Sequence, residues 1–228
     1  MTEPSPVTPS LPTIAVLGGT GKEGPGLALR LAHAGYPVII GSRQLEKAQV
    51  TATELNARLG IDLVRGLENA DAVRQADICI LTVVQSAHQA ALEGLKGVLQ
   101  GKTLVDATAR VDFRAPKPPP PPSAARQAQD ILGAGVRVVA AFQNVPAHAL
   151  KVDPETPLHT DVLVCADDPA AAEVVIGLAH AIGMQAYYAG DLDNAVVVEG
   201  LTSLLISLNK RYGAKTASIN VSGLGAAR

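Results

Sequence analysis

The sequence predicts an α/β protein of the Rossmann type, in which a doubly wound parallel sheet is followed by a small C-terminal α/β subdomain. Three observations support this prediction. Short apolar runs alternate with helical patterns, a glycine-rich turn follows the first apolar run, and 47% of the 228 residues are hydrophobic whereas 18% are charged. This alternation favours parallel strands joined by right-handed helical crossovers. The apolar fraction suffices for a buried core and excludes a disordered chain.

Composition excludes several classes of function. Nineteen Lys and Arg residues against 21 Asp and Glu residues leave a net charge of -2, so no overall positive field attracts nucleic acid or anionic lipid. Only 3% of the residues are aromatic, which argues against base-stacking surfaces. No apolar run reaches the roughly 18 residues of a membrane span, and the N-terminus lacks the pattern of a signal peptide.

The two cysteines indicate a redox compartment. Cys79 and Cys165 lie far apart in apolar runs and show neither a CxxC pair nor a metal-binding spacing. We therefore expect buried, reduced thiols in a cytoplasmic protein without a metal site.

The first part of the chain shows a regular alternation of elements. Residues 1–12 contain four prolines and predict a disordered leader, and residues 13–147 are predicted to form the dinucleotide-binding domain. Apolar runs that end at glycine or small residues predict buried strands, and 3.6-residue periodicity predicts helices between them. The predicted strands cover 14–17, 38–41, 76–84 and 102–107, and the predicted helices cover 24–34, 44–59 and 86–99.

Residues 115–122 interrupt this alternation with a run of prolines. Such a segment is extended and cannot donate to a sheet, which favours an exposed spacer, although a proline-rich ligand for a partner domain is the alternative. Beyond it we predict helices over 124–132, 169–182 and 194–212 and strands over 136–141 and 162–165.

The last predicted helix is apolar on several faces and is expected to lie between domains or subunits. It belongs to residues 148–228, which are predicted to form the small C-terminal subdomain. We predict a twofold homodimer through this helix, because its leucines exceed what one small subdomain can bury. These leucines are Leu201, Leu204, Leu205 and Leu208.

The glycine-rich turn predicts a dinucleotide-binding site. Gly19, Gly21 and Gly24 fit the GxGxxG spacing between the first strand and the first helix. This spacing permits a tight turn, a close approach of the pyrophosphate and close packing of helix on strand, and it places phosphates at the free N–H groups of the helix.

The end of the second strand predicts a preference for NADP. An NAD-binding chain places an acidic residue there to accept the ribose hydroxyls. Ser42 and Arg43 occupy this place instead, and Lys47 follows one helical turn later. A guanidinium can bind a 2′-phosphate through two hydrogen bonds, and the lysine adds a second positive charge.

Other candidate residues remain open between chemical and structural roles. His88 and His148 are either general acids or hydrogen-bonded structural groups. Residues 143–147 follow a strand at the carboxyl edge of the sheet, where they either contact a planar ring or form a plain loop. Lys210 lies near the last turn of the terminal helix, whereas a β-hydroxyacid dehydrogenase needs a lysine in the first half of such a helix.

Taken together, several segments resemble the NADPH-dependent reductases of coenzyme F420, the deazaflavin:NADP oxidoreductases. The resemblance extends from residue 13 to about residue 213. It rests on residues 17–21, 26–32, 41–43 with Lys47, 80–82, 145–147 and 198–205. The chain departs from the family in carrying Gln143-Asn144 where members often carry His-Thr, and in the proline-containing stretch from Asp106 to Pro122.

The resemblance implies a role for each matching position. Thr20, Gly21, Lys22 and Glu23 would face the phosphates of NADP, with Ser42, Arg43 and Lys47 at the 2′-phosphate. Gln85, Gln89 and Val111 would line the nicotinamide side. The terminal helix near Leu204 would bound the deazaflavin pocket together with Gln143, Asn144, Val145, Pro146 and Ala147, the last of which would lie beside the ring.

The implied activity is reversible hydride transfer between C4 of the nicotinamide and C5 of the deazaflavin. Both coenzymes carry their own reactivity, so the protein holds two rings face to face with reacting carbons roughly 3 to 3.5 Å apart, and no catalytic side chain is expected. One alternative is an NADP-dependent reductase of a small carbonyl or imine that uses His148 or Tyr187 as proton donor. Another is a non-catalytic NADP(H)-sensing protein whose proline segment contacts a partner.

Overall fold

Residues 11–224 are described by a computed structural model, in which eight strands form one sheet. The strands are β1 (Ile14–Leu17), β2 (Val38–Ser42), β3 (Val64–Glu68), β4 (Ile78–Leu81), β5 (Thr103–Asp106), β6 (Arg137–Ala140), β7 (Asp161–Ala166) and β8 (Gln185–Tyr188). The helices are α1 (Gly24–His33), α2 (Leu45–Leu59), α3 (Asn69–Gln75), α4 (Gln85–Leu99), α5 (Ala124–Leu132), α6 (Ala147–Leu150), α7 (Pro169–Ala181) and α8 (Ala195–Tyr212).

The strand order confirms the predicted Rossmann-type fold. The order is β3-β2-β1-β4-β5-β6-β7-β8, and all pairs from β3 to β6 are parallel. The chain winds outward from β1 to β3 and then crosses back to β4, so the order reverses between β1 and β4. In open α/β sheets the ligand lies at the carboxyl ends of the strands at such a reversal.

The buried strands divide the core into two layers. Alternate strand residues point to opposite faces of a sheet. Ile14 and Val16 therefore pack with residues of α1, α2 and α7, whereas Ala15 and Leu17 pack with residues of α3, α4, α5 and the start of α8. Strands covered on both faces read as continuous apolar runs, which is why the sequence reveals β1 and β2 so clearly.

The C-terminal part of the chain extends the same sheet. Strand β7 pairs antiparallel with β6 through Ala140 and Cys165, and β8 pairs parallel with β7. The boundary after residue 147 coincides with the first residue of α6 and stays a prediction. Of the predicted leader, residues 1–10 lie outside the described residues, and Leu11 and Pro12 have no regular structure.

Two strands and two helices were not predicted from the sequence, and one predicted strand was too long. Strands β3 and β8 lie toward the two ends of the sheet and are largely uncovered, so they lack a continuous apolar run. Helices α3 and α6 have seven and four residues, which is too short for a clear helical period. The strand predicted over 76–84 covers only Ile78–Leu81.

The proline segment, residues 115–122, is largely exposed as predicted, but it and the preceding Arg114 are tied to α8. It lies along α8, because Ser203 Oγ donates to the carbonyl of Lys117 at 2.7 Å and Lys210 Nζ donates to the carbonyl of Arg114 at 3.0 Å. Arg110 joins the segment to the helix by pairing with Glu199 and donating to the carbonyl of Pro120. Within residues 11–224, no helix has both the length and the hydropathy that crossing a bilayer requires.

Candidate functional site

The turn from β1 to α1 owes its shape to glycine. A Cβ at Gly19 would lie 2.5 Å from the carbonyl oxygen of Val16, and a Cβ at Gly24 would lie 2.6 Å from the Cα of Gly19. Gly18 has a φ of +68°, a backbone conformation that favours glycine. These three positions therefore require glycine for packing or backbone conformation alone.

Gly21 differs from its neighbours. A Cβ there would lie 3.2 Å from the carbonyl oxygen of Gly18 and 3.7 Å from that of Thr82, with no closer heavy atom. The residue is exposed at the carboxyl edge of the sheet. The protein's own packing therefore constrains this position less than Gly19 or Gly24, whereas an approaching phosphate would leave no room for a side chain.

The turn also presents free hydrogen-bond donors. Gly19 and Gly21 donate their N–H groups to the carbonyls of Gly41 and Gly18. In the described part of the chain, the N–H groups of Thr20, Lys22, Glu23 and Gly24 have no protein acceptor. Free N–H groups at the positive end of a helix form an anion-binding site. The turn thus fits the pyrophosphate of a dinucleotide.

Two side chains that sequence reasoning did not assign hold this turn in place. Asn69 Oδ1 accepts from the N–H of Gly18 at 3.3 Å, and Thr82 donates to the carbonyl of Leu17 through both its N–H and its Oγ1. Asn69 starts the unpredicted α3, so no spacing in the sequence could have placed it beside the turn. Thr82 follows β4, the neighbour of β1, and it belongs to residues 80–82, one of the segments on which the family resemblance rests.

The residues predicted to bind the 2′-phosphate lie together beside this turn. Ser42 ends β2 and is buried, and its Oγ accepts from the N–H of Gln44 at 3.2 Å. Arg43 and Lys47 are exposed, the latter in the first turn of α2. Glu68 at the end of β3 pairs in register with Ser42, so an exposed acidic residue that the sequence reasoning missed stands next to this group.

The residues predicted to line the nicotinamide side follow β4 and β5. Gln85 begins α4, and Gln89 lies one turn later, where its Nε2 donates to Glu93 at 2.9 Å. Both glutamines are exposed, whereas Val111 is buried after β5. These three residues therefore lie at the same carboxyl edge as the glycine turn.

The turn over residues 142–147 is pinned by buried amides. Gln143 Nε2 donates to the carbonyl of Asp106 at 2.9 Å, and Asn144 Nδ2 donates to that of Asp161 at 2.7 Å. Thr202 of α8 donates to the carbonyl of Gln143 at 2.8 Å. Both amides are thus structural through their NH₂ groups. Within residues 11–224, Gln143 Oε1 and Asn144 Oδ1 are buried and accept from no protein donor.

The remaining three residues predicted to contact the deazaflavin are Val145, Pro146 and Ala147, at the end of the same turn. Val145 is buried, Pro146 is half-buried and precedes α6, and Ala147 begins that helix. Helix α6 packs against α1 where Gly26 faces Leu150, and a Cβ at Gly26 would lie 2.6 Å from Leu150 Cβ. Helix α6 therefore holds the turn over residues 142–147 close to the start of α1.

Two buried pairs of ionisable side chains lie near the carboxyl end of β5. His88 Nε2 and Asp106 Oδ2 are 2.6 Å apart, and Arg110 Nε donates to Glu199 Oε2 at 2.9 Å. Burial lowers the pKa of His88, but the hydrogen bond and charge of Asp106 outweigh this and leave the pKa raised. Burial also raises the pKa of Glu199, against the opposing hydrogen bond from the N–H of Ala124 and the charge of Arg110.

The two residues considered as proton donors of a carbonyl or imine reductase lie on α6 and β8. His148 is exposed on α6. Tyr187 lies on β8, the terminal strand of the sheet and two strands beyond β6. The structure therefore does not bring Tyr187 to the residues predicted to line the nicotinamide.

Comparisons with known proteins agree with this architecture. Residues 13–110 match a family model described as NADP oxidoreductase, coenzyme F420-dependent. The F420-dependent NADP reductase of Methanothermobacter marburgensis is 42% identical over 221 residues, which cover 92% of this chain and 98% of that protein. The reductase of the same name from Methanocaldococcus jannaschii is 41% identical over 226 residues, again covering 92% and 98%.

Similarity to a solved structure extends over the same range. The crystal structure of a candidate F420-dependent NADP reductase from Arthrobacter sp. FB24 superposes with a TM-score of 0.76 and is 28% identical. The match covers 92% of this chain and 99% of that one.

Proposed function

This chain belongs to the family of coenzyme F420-dependent NADP oxidoreductases, and we propose that it catalyses reversible hydride transfer between NADP(H) and coenzyme F420. The observation that carries this proposal is identity above 40% over nearly the full length of two reductases that bear this name. The hydride passes between C4 of the nicotinamide and C5 of the deazaflavin, so the coenzymes supply the reactivity and the protein supplies binding and orientation.

The glycine turn and the end of β2 would hold the dinucleotide. The free N–H groups of residues 20 and 22–24 point to the pyrophosphate as their acceptor, and Gly21 would leave room for it. Ser42, Arg43 and Lys47 would bind the 2′-phosphate, since all three lie at the carboxyl edge beside the turn. These assignments favour NADP over NAD.

The ring systems would lie along the ends of β4, β5 and β6. Gln85, Gln89 and Val111 would line the nicotinamide side, and residues 143–147 would contact the deazaflavin together with α8 near Leu204. Gln143 supports this arrangement because its buried Oε1 offers an acceptor to a ring N–H or carboxamide while its Nε2 stays on Asp106.

The two alternative functions are less well supported. A carbonyl or imine reductase needs a proton donor beside the nicotinamide, and one of the two candidates, Tyr187, lies on the last strand at the far end of the sheet. A protein that only senses NADP(H) would not need the similarity to named reductases that this chain shows over 92% of its length.

We also propose a homodimer through α8, which presents an unpaired apolar stripe. Val197, Leu204, Leu208 and Tyr212 are 64%, 54%, 39% and 76% exposed, and the half-buried Leu201 lies between them. Their spacing of three and four residues suits packing of two helices against each other. The prediction that Leu205 belongs to this surface is wrong, because Leu205 is only 5% exposed and lies in the protomer core.

A cytoplasmic location is our further proposal, and the two thiols support it. Cys79 and Cys165 are unpaired and buried, and burial raises the pKa of each to about 12. Such thiols persist in a reducing compartment and are poorly reactive.

The function is tested by mixing the purified protein and NADPH with coenzyme F420 or with a panel of small carbonyls and imines. We expect NADPH oxidation with coenzyme F420 and none above background with the panel. Oxidation with the panel alone would replace the proposal by the reductase alternative. Tight NADP binding without turnover of any of these compounds would support the sensing alternative.

A further inference from the structure

The carboxyl group of Glu23 lacks the partners that a buried acid normally has. Glu23 is the last residue of the glycine turn and immediately precedes α1, but its side chain makes no capping hydrogen bond to the helix. The residue as a whole is half-buried, whereas less than 1 Å² of its Oε1 is accessible. Within residues 11–224 this oxygen has no hydrogen-bond partner.

Charged groups on the surrounding elements do not compensate for this burial. In the turn itself, Lys22 extends over the ring of Phe113, and on α1, Arg30 donates to carbonyls of residues 149–156. The elements packed on α1 carry His148 on α6 and, on α2, Glu46, Lys47, Glu54 and Arg58. No hydrogen bond or ion pair joins any of these described groups to Glu23, and burial alone raises the pKa of Glu23 to about 8.

An ionised carboxylate is unsuited to this place. Burying a charge without a partner is costly, and here a pyrophosphate with two negative charges would bind to the adjacent N–H groups. A neutral carboxylic acid avoids both penalties, and its O–H is a donor that can complete the ring of donors formed by the turn.

We propose that Glu23 binds the dinucleotide as a neutral acid, donating a hydrogen bond from its carboxyl O–H to a pyrophosphate oxygen of NADP(H). This inference rests on the NADP site proposed above. Glu23 thereby makes cofactor affinity depend on pH. Above the pKa of Glu23 the donor is lost, and a negative charge facing the phosphate replaces it.

The sign and size of the effect follow from this titration. If only the neutral form binds, affinity is proportional to the fraction of protein in which Glu23 is protonated. With a pKa of about 8, that fraction falls about tenfold between pH ~7 and pH ~9. The weakening is fully reversible, and above pH ~8 cofactor binding should take up a proton from the buffer.

Glutamine at position 23 is the decisive variant, because it keeps the shape and a donor but cannot ionise. The dissociation constant of NADP is measured by calorimetry from pH ~6.5 to pH ~9 for the wild type, Glu23→Gln, Glu23→Ala and the control Glu46→Gln. Glu46 is an exposed acid near the start of α2 and is not part of the glycine turn between β1 and α1. Titration of the 2′-phosphate affects all four proteins equally and therefore cancels in the comparison.

We expect NADP affinity to fall across this range by about tenfold more for the wild type and for Glu46→Gln than for Glu23→Gln, which should lack this dependence on pH. Glu23→Ala should bind more weakly at neutral pH and lack the pH dependence. Repeating the calorimetry near pH ~8.5 in two buffers of different ionisation enthalpy should show proton uptake by the wild type and none by Glu23→Gln.

The same pH profile for the wild type and Glu23→Gln would overturn the inference, as would equal proton uptake by the two. A melting curve of each variant without cofactor establishes that it folds. The carboxyl resonance of Glu23, followed by ¹³C NMR against pH, gives an independent readout, and an ordinary glutamate pKa there would also refute the proposal. Failure of hydride transfer to coenzyme F420 would refute the proposed function, but it would leave this NADP-binding measurement intact.

Discussion

Replacing Arg43 by alanine should separate NADP from NAD. Arg43 follows β2 at the carboxyl edge and is exposed, with Ser42 and Lys47 as its neighbours. A hydrogen bond to a charged group contributes about 1.5 to 3 kcal/mol. Because solvent screens an exposed guanidinium, we expect the lower end of that range, which corresponds to about a tenfold loss of NADP affinity. NAD has no 2′-phosphate, so its affinity should hardly change.

The assay is a calorimetric titration of both dinucleotides into the wild type and the variant. Arg74→Ala is the matched control, because Arg74 is an exposed arginine of α3 whose partner is Asp71 at 2.6 Å. It removes the same charge away from the predicted site and should change neither affinity by more than twofold. Equal losses of NADP and NAD affinity in Arg43→Ala would refute the placement of the 2′-phosphate.

Three further changes test other parts of the structure. Gly21→Val should abolish NADP binding but lower the melting temperature little, since its Cβ would have no heavy atom closer than the Gly18 carbonyl oxygen at 3.2 Å. Saturating NADP at one hundred times the dissociation constant should then stabilise the wild type by about 2.7 kcal/mol and the variant hardly at all, and an undiminished shift in the variant would contradict the placement of the turn. Leu204→Glu should convert the dimer to a monomer in light scattering, and a wild type that is monomeric at micromolar concentration would end that proposal. His88→Gln should destabilise the protein most at acidic pH. Because Asp106 leaves the pKa of His88 raised, the stabilisation is complete below the ordinary pKa of histidine and is lost as pH rises through the raised value. A melting-temperature difference that stays constant with pH would contradict this reading.

Local chemistry made most of the fold predictable. The apolar runs of β1 and β2 are covered on both faces, so each is readable without knowledge of its neighbours. The edge strands β3 and β8 could not be recognised in this way, because each has only one buried residue. An exposed strand has no continuous apolar pattern, and its pairing partner decides that it is a strand.

The candidate site divides along the same line. The GxGxxG motif is one short stretch of sequence, and the Ser42-Arg43 pair is another. The chemistry of each motif depends on a single turn, so the sequence alone predicts an NADP site. Asn69 supports that turn from 51 residues away, and only the pairing of β2 with β3 brings it there.

Tertiary packing also decided which polar groups are buried and which apolar groups are not. The sequence determined that α8 carries more leucine than one face can bury, but only the structure showed that Leu205 faces the core while Leu204 faces solvent. Likewise, Glu23 reads in the sequence as one more polar residue of a phosphate-binding turn. Its pKa is raised because the fold withdraws the carboxyl group from water, and no residue of 11–224 supplies a hydrogen-bond partner for Oε1. Desolvation of a charge depends on every surrounding element rather than on neighbouring residues in the chain.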